Sequence, residues 1–193
     1  MVQITGIYCF HCMCDVIIYE RFTYVHKDQK NLRQRRHSFG GGIMLWGMIM
    51  PNGLIAVRVL QGKQNSDSYI TLFKEFAVPL MKLNSIKGYS IVHDNCSIHV
   101  SRTFQEYAKT QEFQIREWPS RSPDLNIMEN VWKMISDSVY SGDQPLNKSQ
   151  LYEKIVMAVL DINRNRTLVT RALHTDYRCR LTKLLLCKGN IIT

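Results

Sequence analysis

The chain has 193 residues, of which 45% are hydrophobic and 21% charged, enough for one globular domain with a sizeable core. The apolar run IMLWGMIM at 43–50 is too short to span a membrane, and the first residues lack the basic segment and cleavage site of a secretory signal. We therefore expect an intracellular protein with no membrane partner.

The formal net charge is +9, and such an excess of Lys and Arg favours an anionic partner, nucleic acid first. The charge is concentrated at 27–37 and 163–183, although runs of this kind are often only solvated surfaces. The six cysteines are expected as free thiols. CFHCMC at 9–14 lacks a second Cys/His pair at zinc-finger spacing, so no zinc site is predicted there.

The pattern along the chain predicts a mixed α/β protein. One or two short strands are expected within 15–26, and the apolar runs at 43–50 and 54–60 flank a PNG turn, which predicts a hairpin. Apolar periodicity then predicts a helix at 66–84, a strand at 89–94, a helix at 101–110, a strand at 113–118, a helix at 126–140 and a final helical region, in two pieces, over 148–186. Antiparallel strands followed by βα alternation favour a mixed sheet with helices on both faces.

Two carboxylates occupy positions typical of a polar site. Asp94 ends the predicted strand at 89–94, and Glu129 lies in the first turn of the helix at 126–140, away from its apolar stripe. Ligand sites of open α/β sheets collect at such strand ends, and a carboxylate pair supplies the hard oxygen ligands that Mg²⁺ prefers. The alternative is structural: Asn126 is a good N-cap, and Glu129 would complete a capping box with it.

Two blocks of sequence surround these carboxylates. HDNCSIH at 93–99 and EWPSRSPDLNIMENVW at 117–132 resemble the catalytic core of DDE transposases of the mariner superfamily. The 34 residues between Asp94 and Glu129 are typical of the branch that has Glu as its third carboxylate. GGGIMLWGMIMPNG at 40–53 is similar to the glycine-rich start of a strand in that family and to the Asn-Gly turn after it.

The resemblance implies a ribonuclease-H-like fold and DNA cleavage at transposon ends, followed by joining of the freed 3′-OH to target DNA. It also implies that Asp94 and Glu129 hold Mg²⁺ or Mn²⁺ in a two-metal site. The expected partners are transposon-end and target DNA, and a homodimer is a further expectation. The expected location is nuclear in a eukaryote and otherwise cytoplasmic. A structural role for His99 stays open. The residues expected to support the ligands or to face DNA are Asn95, His99, Asp124, Asn126 and Asn130.

The first carboxylate of the family departs from the pattern. The family has a strand of the type VIFSDESRF, whereas DVIIYERF at 15–22 places Ile18 or Tyr19 where the Asp should stand. Asp15, at the opposite end of that strand, is the candidate third carboxylate, although it requires a shift of three or four residues. Glu20 is a nearby carboxylate that the family does not use.

The division of the chain follows from the same motifs. We expect an uncertain and truncated N-terminal segment at 1–37, a DDE core at 38–165 and a basic helical tail at 166–193. Two hypotheses remain: a transposase that performs metal-dependent phosphodiester chemistry, in a truncated or degenerate copy, or a catalytically inactive transposase-derived domain that binds DNA or dimerises.

Overall fold

The computed structural model describes residues 43–84, 90–119, 122, 125–143 and 145–186. The predictions for Asp15, for the strands within 15–26, for the cysteine cluster at 9–14 and for Asp124 lie outside the described residues. Within the described part of the chain, no helix is both long enough and apolar enough to cross a membrane.

The four described strands form two pairs of opposite type. β1 (Met44–Ile49) and β2 (Ile55–Leu60) make the predicted antiparallel hairpin. Its turn depends on Gly53, whose φ of 76° favours glycine. β3 (Ser90–Val92) lies parallel to β4 (Gln114–Arg116), to which it is connected through a helix. Antiparallel and parallel pairing thus coexist, as expected for a mixed sheet.

The helices agree with the predicted positions. They are α1 (Ser66–Leu72), α2 (Val78–Leu83), α3 (Arg102–Lys109), α4 (Ile127–Val139), α5 (Lys148–Arg164), α6 (Thr167–Arg171) and α7 (Tyr177–Leu186). A π-helical turn joins α1 to α2 (Phe73–Ala77) and another joins α6 to α7 (Ala172–Asp176). The side chains of Asn65, Ser101, Asn126 and Asn147 cap the N-termini of α1, α3, α4 and α5, as their residue types favour.

The apolar core forms two clusters that share the alternating side chains of β1. Trp46 and Met48 pack with α1, α2 and α3, whereas Leu45 and Ile49 pack with α4, α5 and α6. β3 shows the same alternation, with Ile91 in the first cluster and the following valine in the second. The prediction of helices on both faces of the strands is therefore confirmed.

Gly47 allows α4 to approach β1 closely. A Cβ at this position would collide with Met128 Cε and lie 2.9 Å from Trp132 Cη2. Both of those side chains are buried on the inner face of α4. Because Gly47 has no side chain, the first turns of α4 can lie close to the strand. The backbone of Glu129 belongs to these turns, so its position depends on the same contact.

Replacing Gly47 with Ala is expected to lower the free energy of unfolding by about 1–3 kcal/mol, because the added methyl overpacks the contact between strand and helix. Urea denaturation measures the change. Met128→Leu removes the colliding methyl and by itself should cost about 1 kcal/mol or less. The double variant should therefore lose less stability than the sum of the two single variants. Strict additivity would contradict this account of Gly47.

Candidate active site

Asp94 lies two residues beyond β3, and the chain that follows it holds one of its carboxylate oxygens. Asp94 Oδ1 accepts hydrogen bonds from the Cys96 N–H at 3.1 Å and from His99 Nδ1 at 2.7 Å. His99 is fully buried, whereas the side chain of Asp94 is 23% exposed. The carboxylate is thus oriented by a buried imidazole on its interior side and remains partly accessible to solvent.

The loop after Asp94 is held at two further points. Asn95 Nδ2 donates to the carbonyl of Trp118 at 2.8 Å, which joins the end of β3 to the chain beyond β4. The His99 N–H donates to the Cys96 carbonyl at 2.9 Å and closes the turn that brings the imidazole under Asp94. Asn95 and His99, both expected from sequence to support the ligands, therefore have defined partners.

Glu129 occupies the first turn of α4, where Asn126 begins the helix. The Asn126 side chain accepts from the Met128 N–H at 3.0 Å, which confirms it as the N-cap. Within the described residues, we find no hydrogen bond from the Glu129 carboxylate back to the Asn126 N–H, so the capping-box alternative gains no support. Glu129 is half-buried instead of lying on the solvent side of the helix.

The electrostatics indicate that Asp94 and Glu129 converge. Burial and, as the smaller cause, the negative charge of Asp94 together raise the pKa of Glu129 from 4.5 to about 7. Asp94 can act on Glu129 in this way only if the two carboxylates lie near each other. Glu129 is therefore within electrostatic reach of Asp94, as a shared site would require.

A second histidine lies in the protein interior behind Asp94. His93 is buried, and its ring stacks on that of His99 with centroids 5.0 Å apart. Burial and, as a smaller cause, the neighbouring His99 lower the pKa of His93 from 6.5 to about 3, with Asp94 partly opposing both effects. Tyr69 lies against both imidazoles, with its hydroxyl 3.5 Å from His93 Nδ1. His93 is therefore neutral throughout the physiological range and adds no charge beside the carboxylates.

Asn130, next to Glu129, contacts the C-terminal helix. Its Oδ1 accepts a hydrogen bond from Arg180 Nη2 on α7 at 2.8 Å. This contact ties α7 to the first turns of α4, the helix that carries Glu129.

The structure brings together Asp94, His99 and Glu129, with Asn95 and Asn126 holding the elements that carry them. Among the described residues, no group of three or more His, Cys, Asp or Glu side chains is arranged to hold a metal ion. Sequence reasoning did not single out Tyr69, His93 and Arg180. His93 belongs to the quoted HDN motif and Arg180 to the basic run, so a signal was present for these two.

Comparison with known proteins places this geometry in context. Residues 13–152 match the family described as DDE superfamily endonuclease. The chain is 29% identical over 159 residues to the Tc3 transposase of Caenorhabditis elegans, covering 81% of this chain and 47% of that protein. It is 28% identical over 94 residues to the Tc1 transposase of the same organism, covering 49% of this chain and 34% of that protein. The chain thus spans about half the length of the first of these relatives and less of the second.

Solved structures agree with the fold. The mariner Mos1 paired end complex with Mg superposes with a TM-score of 0.71 at 16% identity, covering 82% of this chain and 47% of that chain. The Mos1 transposase catalytic domain with raltegravir and Mn gives a TM-score of 0.65 at 12% identity, covering 100% of this chain and 86% of that chain. The prediction of a ribonuclease-H-like α/β fold is confirmed.

Replacing Glu129 with Gln should stabilise the metal-free protein at about pH 8 and change it little at about pH 4.5. The pKa of Glu129 is about 7 in the folded chain against 4.5 as its ordinary value, so folding favours the protonated form. The stability this contributes is complete below pH 4.5 and is lost as the pH rises through 7. At about pH 8 the variant should gain of the order of 2–3 kcal/mol, measured by urea denaturation in EDTA.

The matched control is Asp137→Asn, an exposed carboxylate on the same helix, which should show no such gain. The lowered pKa of His93 acts with the opposite sign, since stability is lost as the pH falls below 6.5. Because both proteins contain His93, this effect cancels in the difference between them. A gain from Glu129→Gln that does not vary with pH would contradict the buried, charge-coupled position of Glu129.

Proposed function

Since this chain belongs to the DDE superfamily endonucleases, as its resemblance to mariner transposases predicted, we propose that it forms the catalytic core of a transposase that cleaves DNA and transfers the cut strand. The observation that carries the proposal is that the charge of Asp94 acts on the half-buried Glu129. The related Tc3 and Tc1 proteins are named transposases, which supports transposon-end and target DNA as the substrates. A nuclear location and a homodimer accompany this proposal.

The donor set fits a divalent cation. Both groups provide carboxylate oxygens, the hard ligands that Mg²⁺ and Mn²⁺ accept. Asp94 Oδ1 is held by Cys96 and His99, and Oδ2 is the oxygen that we assign to the metal. Mutual repulsion and burial disfavour two negative charges here, and a cation would relieve both penalties. We infer that Asp94 and Glu129 are the ligands and that Asp15, outside the described residues, is the candidate for the third.

A divalent metal bound there would supply the Lewis acidity that phosphodiester cleavage and strand transfer require. The residues of this chain position the ligands. His99 Nδ1–H fixes the plane of the Asp94 carboxylate, and Asn95 anchors the loop to the chain after β4. Asn126 caps the N-terminus of α4 and thereby fixes the position of Glu129 along the helix. We infer no covalent role for any side chain, so catalysis rests on positioning and charge stabilisation.

The second candidate is a catalytically inactive, transposase-derived domain that binds DNA or dimerises. The observation that favours it is that the described site contains two carboxylates where the family uses three. Metal binding and DNA cleavage separate the two candidates, because the inactive domain would bind DNA without being able to cut it.

Asp94→Asn and Glu129→Gln should each weaken Mn²⁺ binding at least 10-fold, since each removes a charged oxygen ligand. Isothermal titration of Mn²⁺ into the full chain measures the affinity, at about pH 8, which is above the pKa of Glu129. Mn²⁺-dependent nicking of a duplex oligonucleotide should fall by about 100-fold or more in the same variants.

Asp137→Asn serves as the control, because it removes one negative charge from the exposed side of α4. Its affinity for Mn²⁺ should equal that of the unchanged chain. If the unchanged chain bound Mn²⁺ no better than the two ligand variants, the catalytic proposal would fail. If it bound Mn²⁺ normally and never nicked DNA, the inactive domain would be the correct candidate.

His99→Leu should weaken Mn²⁺ binding by about 10- to 100-fold, because the plane of the Asp94 carboxylate is no longer fixed. His99→Asn is the informative comparison: its amide nitrogen reaches about the position of imidazole Nδ1 and can still donate to Asp94. Leu is slightly larger than His and Asn is smaller and polar, so His99→Asn should lose at least as much unfolding free energy as His99→Leu at this buried position. Mn²⁺ affinity should nevertheless be rescued only in His99→Asn. Equal loss of affinity in both would instead assign His99 a purely structural role.

A further inference from the structure

A polar cavity of about 710 Å³ opens where α5 gives way to α6, away from the carboxylates. Three of the residues that line it are arginines, a fourth is a histidine, and threonines and asparagines fill the rest. The lining contains no carboxylate. The principal lining residues are Arg164, Arg166, Arg171, His174, Thr167 and Thr170.

The corner between α5 and α6 is rigid because it is tied to the hairpin. Asn163 Oδ1 accepts from the Ile55 N–H, and Asn163 Nδ2 donates to the Ile55 carbonyl, both at 2.8 Å. The side-chain amide therefore takes the place of a neighbouring strand at the start of β2. Gly53 in the hairpin turn lies against Thr170 and Arg166. The cavity is thus lined by one segment, residues 163–175, which is anchored to the hairpin.

The arginines at the cavity are held only weakly by acidic residues. Arg164 pairs with Asp161 at 2.9 Å and Arg171 with Asp176 at 3.8 Å, and all four side chains are between 43% and 71% exposed. Exposed ion pairs of this type contribute little to stability. A phosphate group, which accepts several hydrogen bonds from guanidinium groups, would compete effectively with these aspartates.

The basic surface continues from the cavity along the last helix. α6, the π-helical turn and α7 follow one another from Thr167 to Leu186 without a break. Arg171, His174, Thr175 and Arg178 are all exposed and recur at the spacing of one helix face. Val169 and Ala172 lie on the opposite face, in the core shared with α4.

The same helix approaches the candidate active site at its far end. Arg180, on the inner face, donates to Asn130 beside Glu129. From Thr167 to Arg180 the helix rises about 20 Å. In B-DNA, consecutive phosphates of one strand are about 3.4 Å apart along the duplex axis, so a duplex lying parallel to this helix would present about six phosphates of one strand over this length.

From this geometry we propose that the cavity at the α5–α6 corner binds the phosphate backbone of duplex DNA, and that the exposed face of α6 and α7 holds that duplex between the cavity and the carboxylate site. The contacts are to phosphates, so they position the DNA without reading its sequence. The choice of DNA as the nucleic acid rests on the proposed function, whereas the basic surface itself does not.

The test is the salt dependence of binding to a duplex oligonucleotide, measured by fluorescence anisotropy on the full chain in EDTA. In the triple variant Arg164→Gln, Arg166→Gln, Arg171→Gln, the slope of log K against log salt should become shallower by about 2 to 3, because each lost phosphate contact accounts for about 0.9. The loss of affinity should be the same for oligonucleotides of unrelated sequence.

The control removes three cations from the other side of the sheet: Lys74→Gln, Arg102→Gln, Lys109→Gln. All three are exposed, and Arg102 has an ion-pair partner, Glu106, in the same way that Arg164 has Asp161. The two triple variants have the same net charge, so only a localised binding surface distinguishes them. Arg171→Gln alone, on an exposed side chain, provides a second variant with little risk to folding and should make the slope shallower by about 1.

Equal slopes in the two triple variants, or an unchanged slope in the first, would overturn the proposal. Tighter binding of a duplex RNA of the same length would overturn the assignment to DNA. Because EDTA removes divalent metal, the result does not depend on Asp94 and Glu129. A chain that binds DNA through these arginines and fails to bind Mn²⁺ would support this inference and refute the proposed catalytic function.

Discussion

The packing of α4 on β1 is the contact on which the site depends. The position of Glu129 is determined by the position of the first turn of α4. That turn is held in place because Met128 and Trp132 pack closely over Gly47. The buried side chains on the inner face of α4 belong to the same cluster as Leu45 and Ile49 of β1. The largest apolar core of the described chain therefore determines the position of a half-buried carboxylate.

The two carboxylates meet in unequal surroundings. Asp94 receives hydrogen bonds from Cys96 and His99, whereas Glu129 is half-buried and its pKa is raised by that burial and by the charge of Asp94. A negative charge at Glu129 is therefore disfavoured, and a bound cation would offset that penalty. Glu129 favours folding with its proton bound and metal binding without it, so the same geometry links protonation, stability and ligand occupancy.

The sequence predicted the elements well because their signals are local. Asn126 before an apolar stripe predicted the start of α4, and PNG predicted the hairpin. The convergence of Asp94 and Glu129 came from topology and from family motifs, since spacing alone left a capping box as an alternative. The π-helical turns carry no recognisable periodicity. The contact of Arg180 with Asn130 joins residues 50 positions apart, and nothing in the local pattern identifies a partner at that distance.

The basic segment after residue 165 shows why a run of charge cannot be interpreted from composition alone. Arg171 and Arg178 suggest a solvated surface, yet Val169 and Ala172 of the same segment are buried in the cluster that contains the inner face of α4. A helix with one buried face can present its cations only on the other, so the core fixes the direction in which the arginines point. Arg180 is the exception on the inner face, and it is accommodated there because Asn130 accepts its hydrogen bond. The packing that anchors this helix also determines that its positive charge lies on the surface leading to Glu129.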